Sequence, residues 1–301
     1  MHTSLSDQRN ETINVWVKDQ LLPRSEAKVS VFDSVVQGGD AVWEGIRVYD
    51  GKIFQLDVHL SRLMDSAHAM GFTDLPSKEF ITNALFETLK SNGMRDHTHV
   101  RLTLTRGEKI TSGMDPRLNV FGPTLIILAE WKKPVFADNG IRLITSTVRR
   151  NPPQCLDSKI HHNNLINNIL AKIQANLAGV DEAVMLDLHG YLSETNATNL
   201  FLVKNSCLYT PHADSCLPGV TRAMILDIAT DLNIPAIQRN LSTTEMYTSC
   251  EMFTTGTMGE LDPVVEVDGR IIGNGKPGPM TLQLCDEYWK RTRSQGVPLP
   301  F

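Results

Sequence analysis

Hydrophobic and polar residues alternate over several short stretches in the first part of the chain, which is the pattern of half-buried β-strands. Six strands are predicted there, over 13–17, 28–32, 41–49, 52–56, 99–105 and 124–131. Asp50-Gly51 separates two of them and predicts a tight hairpin. Apolar residues at helical spacing predict one helix from Asp57, its expected N-cap, to about residue 70, and another from Ser77 to Gly93. The pattern indicates an antiparallel α+β unit.

The second part of the chain mixes strands and helices more evenly. The predicted strands cover 141–148, 182–187, 190–192, 199–204, 208–210 and 250–253, the helices 163–177, 221–232 and 279–293, and a hairpin 264–272. Between the two parts, Lys132-Lys133-Pro134 and Asp138-Asn139-Gly140 are typical of a linker. We expect an α/β (α+β) protein with a small N-terminal domain, 1–133, a linker, 134–139, and a larger C-terminal domain, 140–301.

Composition places the chain among ordinary globular proteins, with 41% hydrophobic and 21% charged residues in a length of 301. A net charge of -5 argues against a nucleic-acid or acidic-membrane partner. The apolar run 125–129 is too short to span a bilayer, and the polar first ten residues lack the apolar core of a signal peptide. Five cysteines without a CxxC spacing argue against structural zinc. We therefore expect a cytoplasmic protein with reduced thiols, no metal and small-molecule partners.

Four short motifs in the second part together supply a lysine, a carboxylate and two anion-binding turns. They are Ser158-Lys159 ahead of a helix, Ser193-Glu194 with Asn199 five residues later, Pro218-Gly219-Val220-Thr221 at a helix start, and Thr254-Thr255-Gly256-Thr257 after a strand. A lysine can form a Schiff base with an aldehyde, and a carboxylate can keep a pyridine nitrogen protonated. Free amide groups at a helix start or a tight turn bind phosphate. These groups are the ones needed to hold pyridoxal 5'-phosphate.

In this order the motifs resemble the class IV aminotransferases, and within them the branched-chain aminotransferases. The resemblance covers nearly the whole chain, and Trp43-Glu44-Gly45-Ile46-Arg47-Val48-Tyr49 is similar to the Phe-Glu-Gly-Ile-Arg-x-Tyr strand of that family. It implies the two-domain fold type IV architecture shared with the D-amino-acid aminotransferases. It also implies a homodimer in which a segment around 106–117 completes the active site of the partner.

The resemblance further implies a role for each matching residue. Lys159 would carry the cofactor and serve as general base, while Lys172 matches a lysine inside the following helix. The carrying lysine is expected to be desolvated, since burial lowers its pKa into the nucleophilic range. Glu194 would face the pyridine nitrogen. The other implied cofactor contacts are Arg62, Asn199, Gly219, Val220, Thr221, Gly256 and Thr257, and the implied substrate contacts are Trp43, Arg101, Thr257 and Met258.

Three positions depart from the branched-chain pattern, because tyrosines of that family are replaced by Gly38, His99 and Asn164. We expect a more open and more polar pocket, with L-leucine, L-isoleucine and L-valine as usable but not exclusive donors. The acceptor would be a 2-oxo acid such as 2-oxoglutarate. A D-amino-acid or amine transaminase, an aminodeoxychorismate lyase and a cofactor carrier without turnover stay open as alternatives.

Two other patterns are set aside. Gly273-Asn274-Gly275-Lys276-Pro277-Gly278 has the GxGxxG form of a dinucleotide site, but it follows a hairpin and contains a proline. His161-His162 has no accompanying ligand spacing for a metal.

Overall fold

A computed structural model of the protein describes residues 7–133 and 139–301, which fold into two compact units. Unit 1 comprises the described residues up to Lys133, together with Ile160–Asn164 and Thr292–Phe301. Unit 2 comprises the residues from 139 to Lys159 and Leu165–Arg291. Apart from Asn139, the predicted linker 134–139 lies outside the described residues.

Unit 1 is built on a seven-stranded sheet in which every strand pair is antiparallel. Its strands, numbered along the whole chain, are β1 (Asn14–Val17), β2 (Gln20–Pro23), β3 (Ala41–Tyr49), β4 (Lys52–Ile53), β5 (Thr98–Thr105), β6 (Thr124–Trp131) and β16 (Val297–Pro298). Their order across the sheet is β16-β4-β3-β5-β6-β1-β2. The helices are α1 (Ser34–Gly38), α2 (Leu56–Ala69) and α3 (Lys78–Ser91), with 3-10 turns at Gln8–Glu11 and Pro116–Leu118.

The central strand β3 shows why this sheet has one apolar face. Val42, Ile46 and Val48 alternate along it, are fully buried, and share a core with leucines of α2 and α3 such as Leu63 and Leu85. Side chains alternate along a strand, so the residues between them point to the opposite face. Strand β3 therefore has one face toward the helices and an opposite face that carries Trp43, Gly45 and Arg47.

The residues that directly follow Lys159 run beside β3. The Trp43 N–H donates to the His161 carbonyl at 2.9 Å, and the Asn163 N–H donates to the Ala41 carbonyl at 2.8 Å. Helix α4 is predicted from 163 but begins only at 166, because these preceding residues are extended against the strand.

Unit 2 contains a nine-stranded mixed sheet. Its strands are β7 (Ile141–Thr145), β8 (Glu182–Leu186), β9 (Leu192–Thr195), β10 (Asn199–Lys204), β11 (Cys207–Thr210), β12 (Ala236–Gln238), β13 (Glu251–Gly256), β14 (Glu260–Val267) and β15 (Arg270–Ile271). Their order is β12-β11-β10-β13-β14-β7-β8-β9, with β15 paired to β14. The helices are α4 (Ile166–Ala178), α5 (Val220–Asp231), α6 (Thr243–Tyr247) and α7 (Pro279–Ser294). No helix in the described part of the chain is long and apolar enough to cross a membrane.

Strands β10 and β13 lie in the middle of this sheet and are buried on both faces. Phe201 and Phe253 stack on one face with ring centroids 5.0 Å apart, and Leu202 and Met252 belong to the core on the other. Because the two strands are antiparallel, the start of β10 lies beside the end of β13. The core therefore fixes these two strand ends next to each other.

The strand predicted at 28–32 is wrong. Strand β1 pairs instead with β2 through a tight turn at Lys18, which has a left-handed φ of 63°. Val31 and Phe32 are 70% and 47% exposed, so the alternation that suggested a strand does not mark a buried face of this chain. The hydrophobic pattern misleads here because these apolar side chains point to the surface.

The predicted N-cap of α2 is also wrong. The cap is Gln55, in the left-handed region at φ 51° and without a side-chain hydrogen bond, and Asp57 lies in the first turn. A carboxylate there still favours the positive end of the helix dipole. The next helix is capped as predicted, since Ser77 Oγ accepts from the Phe80 N–H at 3.1 Å. The sequence does not predict α1, α6, β12 or β16, because such short elements are too brief to show a period.

Gly107→Ala tests how closely the connection between β5 and β6 is packed. Gly107 has a φ of 100°, and a Cβ there would lie 1.9 Å from the Gly122 carbonyl oxygen. Gly122 also has a positive φ, 73°, but a Cβ there would meet nothing within 4 Å. We expect Gly122→Ala to lower the free energy of unfolding by about 1 kcal/mol through its backbone conformation. Gly107→Ala should lower it by about 3 kcal/mol or more, since the backbone must also move. Urea denaturation measures both, and equal losses would contradict the close packing.

Candidate active site

Glu194, at the end of β9, is the centre of the polar cluster in unit 2. The residue is 5% exposed, and Oε1 accepts from Arg150 Nε at 2.5 Å. Oε2 accepts from the Leu217 N–H at 3.1 Å and faces Asn199 Nδ2 at 3.5 Å. Burial raises the pKa of Glu194, and the charge and hydrogen bond of Arg150 oppose that rise. The carboxylate is therefore held in a fixed orientation beside a buried cation.

Arg150 is a functional candidate that the sequence prediction missed. It is 5% exposed, and its Nη1 also donates to Asn167 Oδ1 at 3.1 Å. It stands in sequence only as half of an Arg149-Arg150 pair, which resembles a solvated surface charge. Its partner lies 44 residues away along the chain, so no local spacing indicates the contact.

The start of α5 approaches this cluster closely. Asn199 Nδ2 donates to the Leu217 carbonyl at 2.9 Å, and a Cβ on Gly219 would lie 2.1 Å from Asn199 Oδ1. Only glycine fits at that point. Gly219 is also the N-cap of α5 and supplies no side-chain cap, so the first amide groups, including those of Val220 and Thr221, are available to an anion.

The turn that follows β13 lies against the same region. In register, Thr255 is opposite Asn199, so their side chains share a face. Thr255 Oγ1 is buried and has no hydrogen-bond partner among the described residues. A Cβ on Gly256 would lie 3.0 Å from Thr198 Cγ2, which makes this turn a tight fit. Thr257 and Met258 follow in the turn that leads to β14.

Lys159 lies at the end of unit 2's first segment with its side chain 46% exposed. Its Nζ is 3.9 Å from Asp157 Oδ1, and its backbone N–H donates to the same oxygen at 3.0 Å. The expected desolvation is not seen, since the loop leaves the amine partly exposed. Lys172, on α4, instead donates its ammonium group to the Asp181 carbonyl oxygen.

In unit 1, the predicted phosphate ligand Arg62 is held by Glu44. Arg62 Nε and Nη2 donate to the two carboxylate oxygens at 2.8 and 2.7 Å, a bidentate pair. His59 Nδ1 lies 2.7 Å and His161 Nδ1 3.2 Å from the same carboxylate. Burial opposes ionisation of Glu44, but the charge of His161 and the hydrogen bonds from Arg62, His161 and His59 hold its pKa well below the usual value.

Glu44 is a second candidate that the sequence prediction missed, although a signal for it exists. It occupies an inward position of β3, between the buried Val42 and Ile46, where alternation demands an apolar residue. A carboxylate there is 0% exposed and must have partners.

On the opposite face of β3, Trp43 packs against Arg101 of β5, and both are predicted substrate contacts. The Arg101 guanidinium carbon lies 3.6 Å from the indole centroid, and Nη2 donates to Asn163 Oδ1 at 2.9 Å. Burial lowers the pKa of Arg101 to about 10. His99, two residues earlier on β5, has its pKa lowered to about 3 by burial and by the nearby charges of Lys132, Arg47 and Arg101. This face therefore carries positive charge next to an aromatic surface.

The predicted residues thus fall into separate groups. In unit 2, hydrogen bonds and close packing bring together Glu194, Asn199, Gly219 with the start of α5, and the turn at Gly256. In unit 1, Arg62 lies on the helix side of β3, and Trp43 and Arg101 lie on its other side.

The chain is similar to known proteins over most of its length. The family model for class IV amino-transferases matches residues 41–267. The branched-chain-amino-acid aminotransferase-like protein 2 of Arabidopsis thaliana is 57% identical over 298 residues, covering 99% of this chain and 53% of that protein. The chain thus spans about half the length of that relative. The putative branched-chain-amino-acid aminotransferase of Methanocaldococcus jannaschii is 40% identical over 278 residues, covering 92% of this chain and 95% of that protein.

A solved structure is similar over most of the chain. The T.th. branched-chain amino acid aminotransferase with pyridoxamine 5'-phosphate has a TM-score of 0.87 and 32% identity, and the match covers 93% of this chain and 94% of that one. The predicted α/β (α+β) architecture of fold type IV is confirmed by this likeness. Since the matched segment runs from the start of β3 to the end of β14, it includes every motif on which the resemblance was based, and the chain belongs to the class IV aminotransferases.

Proposed function

We propose that the protein is a cytoplasmic, pyridoxal-phosphate-dependent aminotransferase. It moves the amino group of an amino acid, preferably an L-branched-chain one, to a 2-oxo acid such as 2-oxoglutarate. The observation that carries the proposal is the buried Glu194 carboxylate, oriented by Arg150 beside the open start of α5. Similar proteins are named as branched-chain aminotransferases, and the T.th. structure contains pyridoxamine 5'-phosphate; both support the proposal.

The residues of unit 2 fit the phosphate end of the cofactor. Gly219 lets Asn199 pack closely against the start of α5, and the Val220 and Thr221 amides offer donors at the positive end of the helix dipole. Gly256 and Thr257 belong to a second turn. The buried Thr255 hydroxyl has no hydrogen-bond partner among the described residues, so it can still bond to a ligand. When bound, the cofactor supplies a cationic ring that withdraws electrons from the substrate Cα.

Each polar side chain then has a task of its own. Glu194 holds a proton at the ring nitrogen, because its ionised carboxylate is oriented by Arg150 and Asn199. Lys159 would hold the cofactor through Nζ, and in its neutral form this amine could take the proton from the donor's Cα. Because the Lys159 side chain is 46% exposed, its amine can move between the cofactor and the Cα proton of the donor.

Arg62 contributes a guanidinium to the phosphate. Glu44 accepts two hydrogen bonds from one edge of that guanidinium and so fixes the orientation of the whole group. A planar guanidinium held in this way is pre-organised for a dianion, since little side-chain entropy remains to be lost on binding.

The substrate is held by Trp43, Arg101, Thr257 and Met258. Arg101 is a buried cation whose hydrogen-bond partner is the neutral Asn163 amide, so a substrate carboxylate is its natural counter-ion. His99 replaces a bulkier, apolar tyrosine ring on the same strand, which makes the pocket more polar. Branched-chain selectivity is therefore relaxed, since apolar packing discriminates by only about 1–3 kcal/mol per methylene.

We also propose a homodimer. Exposed large apolar side chains occur around the segment 106–117, where Ile110 is 58% and Met114 98% exposed. Helix α4 carries an exposed apolar stripe of its own, at Ile166, Ile169, Leu170, Ile173 and Leu177. Contiguous apolar surface of this kind is typical of a protein interface.

Lys159→Ala should abolish covalent attachment of the cofactor, because no other amine takes its place. Borohydride reduction of the wild-type protein followed by peptide mapping should find the pyridoxyl group on Lys159. Lys172→Ala is the matched control and should keep both the attachment and the near-visible absorbance. A label on Lys172, or on no lysine, would show that the assignment is wrong.

Glu194→Gln should lower kcat for transamination by about 100-fold or more while leaving the cofactor bound, since an amide cannot hold the ring proton but still accepts hydrogen bonds. Single-turnover absorbance measures the rate directly. Glu266→Gln, on the partly exposed part of β14, is the control and should react at the wild-type rate. An unchanged rate in Glu194→Gln would remove Glu194 from the mechanism.

Arg101→Met should raise KM for the amino donor by about tenfold or more with a smaller effect on kcat, because the stem still packs on Trp43 but the charge is lost. The assay pairs the L- and D-forms of leucine, alanine and glutamate with pyruvate and 2-oxoglutarate. Arg270, which stacks on Tyr247 at 4.4 Å, provides the matched control Arg270→Met. A preference for D-forms, or pyruvate release from aminodeoxychorismate without an acceptor, would favour the alternative reactions.

A further inference from the structure

The four residues between Glu194 and Asn199, which run from the last residue of β9 to the start of β10, form a turn that is organised by one buried carboxylate. Thr195 Oγ1 donates to Glu182 Oε2 at 2.6 Å, and Thr198 Oγ1 donates to the same oxygen at 2.8 Å. Thr195 Oγ1 in turn accepts the N–H groups of Ala197 at 3.1 Å and Thr198 at 2.8 Å. Thr195 and Thr198, at the two ends of the turn, are therefore both hydrogen-bonded to one oxygen of Glu182.

The middle of the turn is attached to the start of the same strand, β8. The Asn196 N–H donates to the Ala183 carbonyl at 3.0 Å, and Asn196 Oδ1 accepts the Ala183 N–H at 2.8 Å. Asn168 Nδ2, from α4, adds a bond to the Asn196 carbonyl at 3.0 Å. These bonds fix the middle of the turn. The bonds to Glu182 then determine the orientation of Thr195 and Thr198 at its two ends.

Three residues of the proposed cofactor site depend on the orientation of this turn. Glu194 immediately precedes the turn and Asn199 immediately follows it, and their side chains meet at 3.5 Å. Gly256 packs on the Thr198 side chain, where an added Cβ would lie 3.0 Å from Cγ2. A shift of the turn would therefore move all three together.

Glu182 is well protected from water, with 6% exposure, and Thr195 is fully buried. Burial raises the pKa of Glu182, and the hydrogen bonds from Thr195 and Thr198 oppose this rise. Loss of the acceptor would remove a hydrogen bond from each of two buried hydroxyl groups. Their other contact partners lie within the turn itself, since Thr195 Oγ1 is 3.1 Å from the Thr198 carbonyl oxygen and 2.7 Å from Thr198 Oγ1. The bonds to Glu182 are therefore the ones that connect the two threonine hydroxyls to β8.

We propose that Glu182 is a positioning residue of the active site, which acts through the Thr195–Thr198 turn to place Glu194, Asn199 and Gly256. The inference rests on the proposed function, since those three residues are its cofactor contacts. Glu182 itself touches neither the cofactor nor the substrate. Its contribution is to geometry, so a neutral side chain of the same shape should replace it.

The experiment compares Glu182→Ala with the isosteric Glu182→Gln. Glu251→Ala is the matched control in the same unit, because the Glu251 carboxylate also accepts three hydrogen bonds, from the Met280 and Thr281 N–H groups and the Thr281 hydroxyl. Hydrogen exchange of the amides of Ala197 and Thr198 is measured first, in protein freed of cofactor. The dissociation constant and absorbance spectrum of added pyridoxal 5'-phosphate are measured next.

We expect Glu182→Ala to speed exchange of the two amides and to weaken pyridoxal phosphate binding by about tenfold or more, with an altered absorbance band. Glu182→Gln should restore exchange, affinity and spectrum to the wild-type values. Glu251→Ala should lower the melting temperature while leaving all three unchanged. Unchanged exchange in Glu182→Ala, or faster exchange with wild-type affinity and spectrum, would overturn the inference.

A failure of the proposed function can be distinguished from a failure of this inference. If the wild-type protein binds no pyridoxal phosphate, the cofactor assignment is wrong and Glu182 positions no cofactor site. The exchange data would then report only whether it holds the turn.

Discussion

The site in unit 2 depends on one buried ion pair, Arg150 with Glu194. Each side chain is about 5% exposed, and a charge taken out of water alone at such a depth would cost several kcal/mol. Each therefore makes the other tolerable, and removing either leaves an uncompensated buried charge. The pair orients the carboxylate, and the charge and hydrogen bond of Arg150 oppose the rise in the pKa of Glu194 that burial causes. Such a carboxylate can stabilise a cation on a bound ring, which an exposed glutamate, screened by water, does far less effectively.

The sheet of unit 2 gives this pair its surroundings. The end of β9, the start of β10, the end of β13 and the start of α5 meet around it, and each contributes backbone or a small side chain. Glycine is required where Gly219 passes Asn199, because a Cβ there would collide with the amide oxygen. The strands are held by a core that includes the stacked Phe201 and Phe253, so the polar groups sit on the rigid ends of buried elements. A site built in this way loses little entropy when a ligand binds.

Sequence reasoning predicted what is local and missed what is distant. The antiparallel character of unit 1 and the cap at Ser77 are set by short-range patterns, and the class IV family follows from the motifs in order. The roles of Glu194 and Gly219 stay predictions. Arg150 was missed because its partner is 44 residues away, and nothing near it in sequence marks it as buried. The strand expected at 28–32 failed because alternation reports apolar residues without reporting what covers them. The exposure of Lys159 was misjudged for a similar reason, since a loop's solvent access depends on what packs against it.

Strand β3 explains how such a chain could keep the proposed cofactor contact of Arg62 while its proposed substrate contacts change. Glu44 points toward α2 and orients Arg62, whereas Trp43 points the other way and supports Arg101. Because adjacent residues of a strand face opposite sides, substitutions on one side leave the packing of the other side largely intact. The replacement of a tyrosine by His99 belongs to the side of Trp43, since His99 pairs with Arg47 in register. The proposed substrate contacts can therefore become more polar without disturbing the carboxylate that orients Arg62, so a relaxed substrate range is compatible with an unchanged proposed phosphate contact.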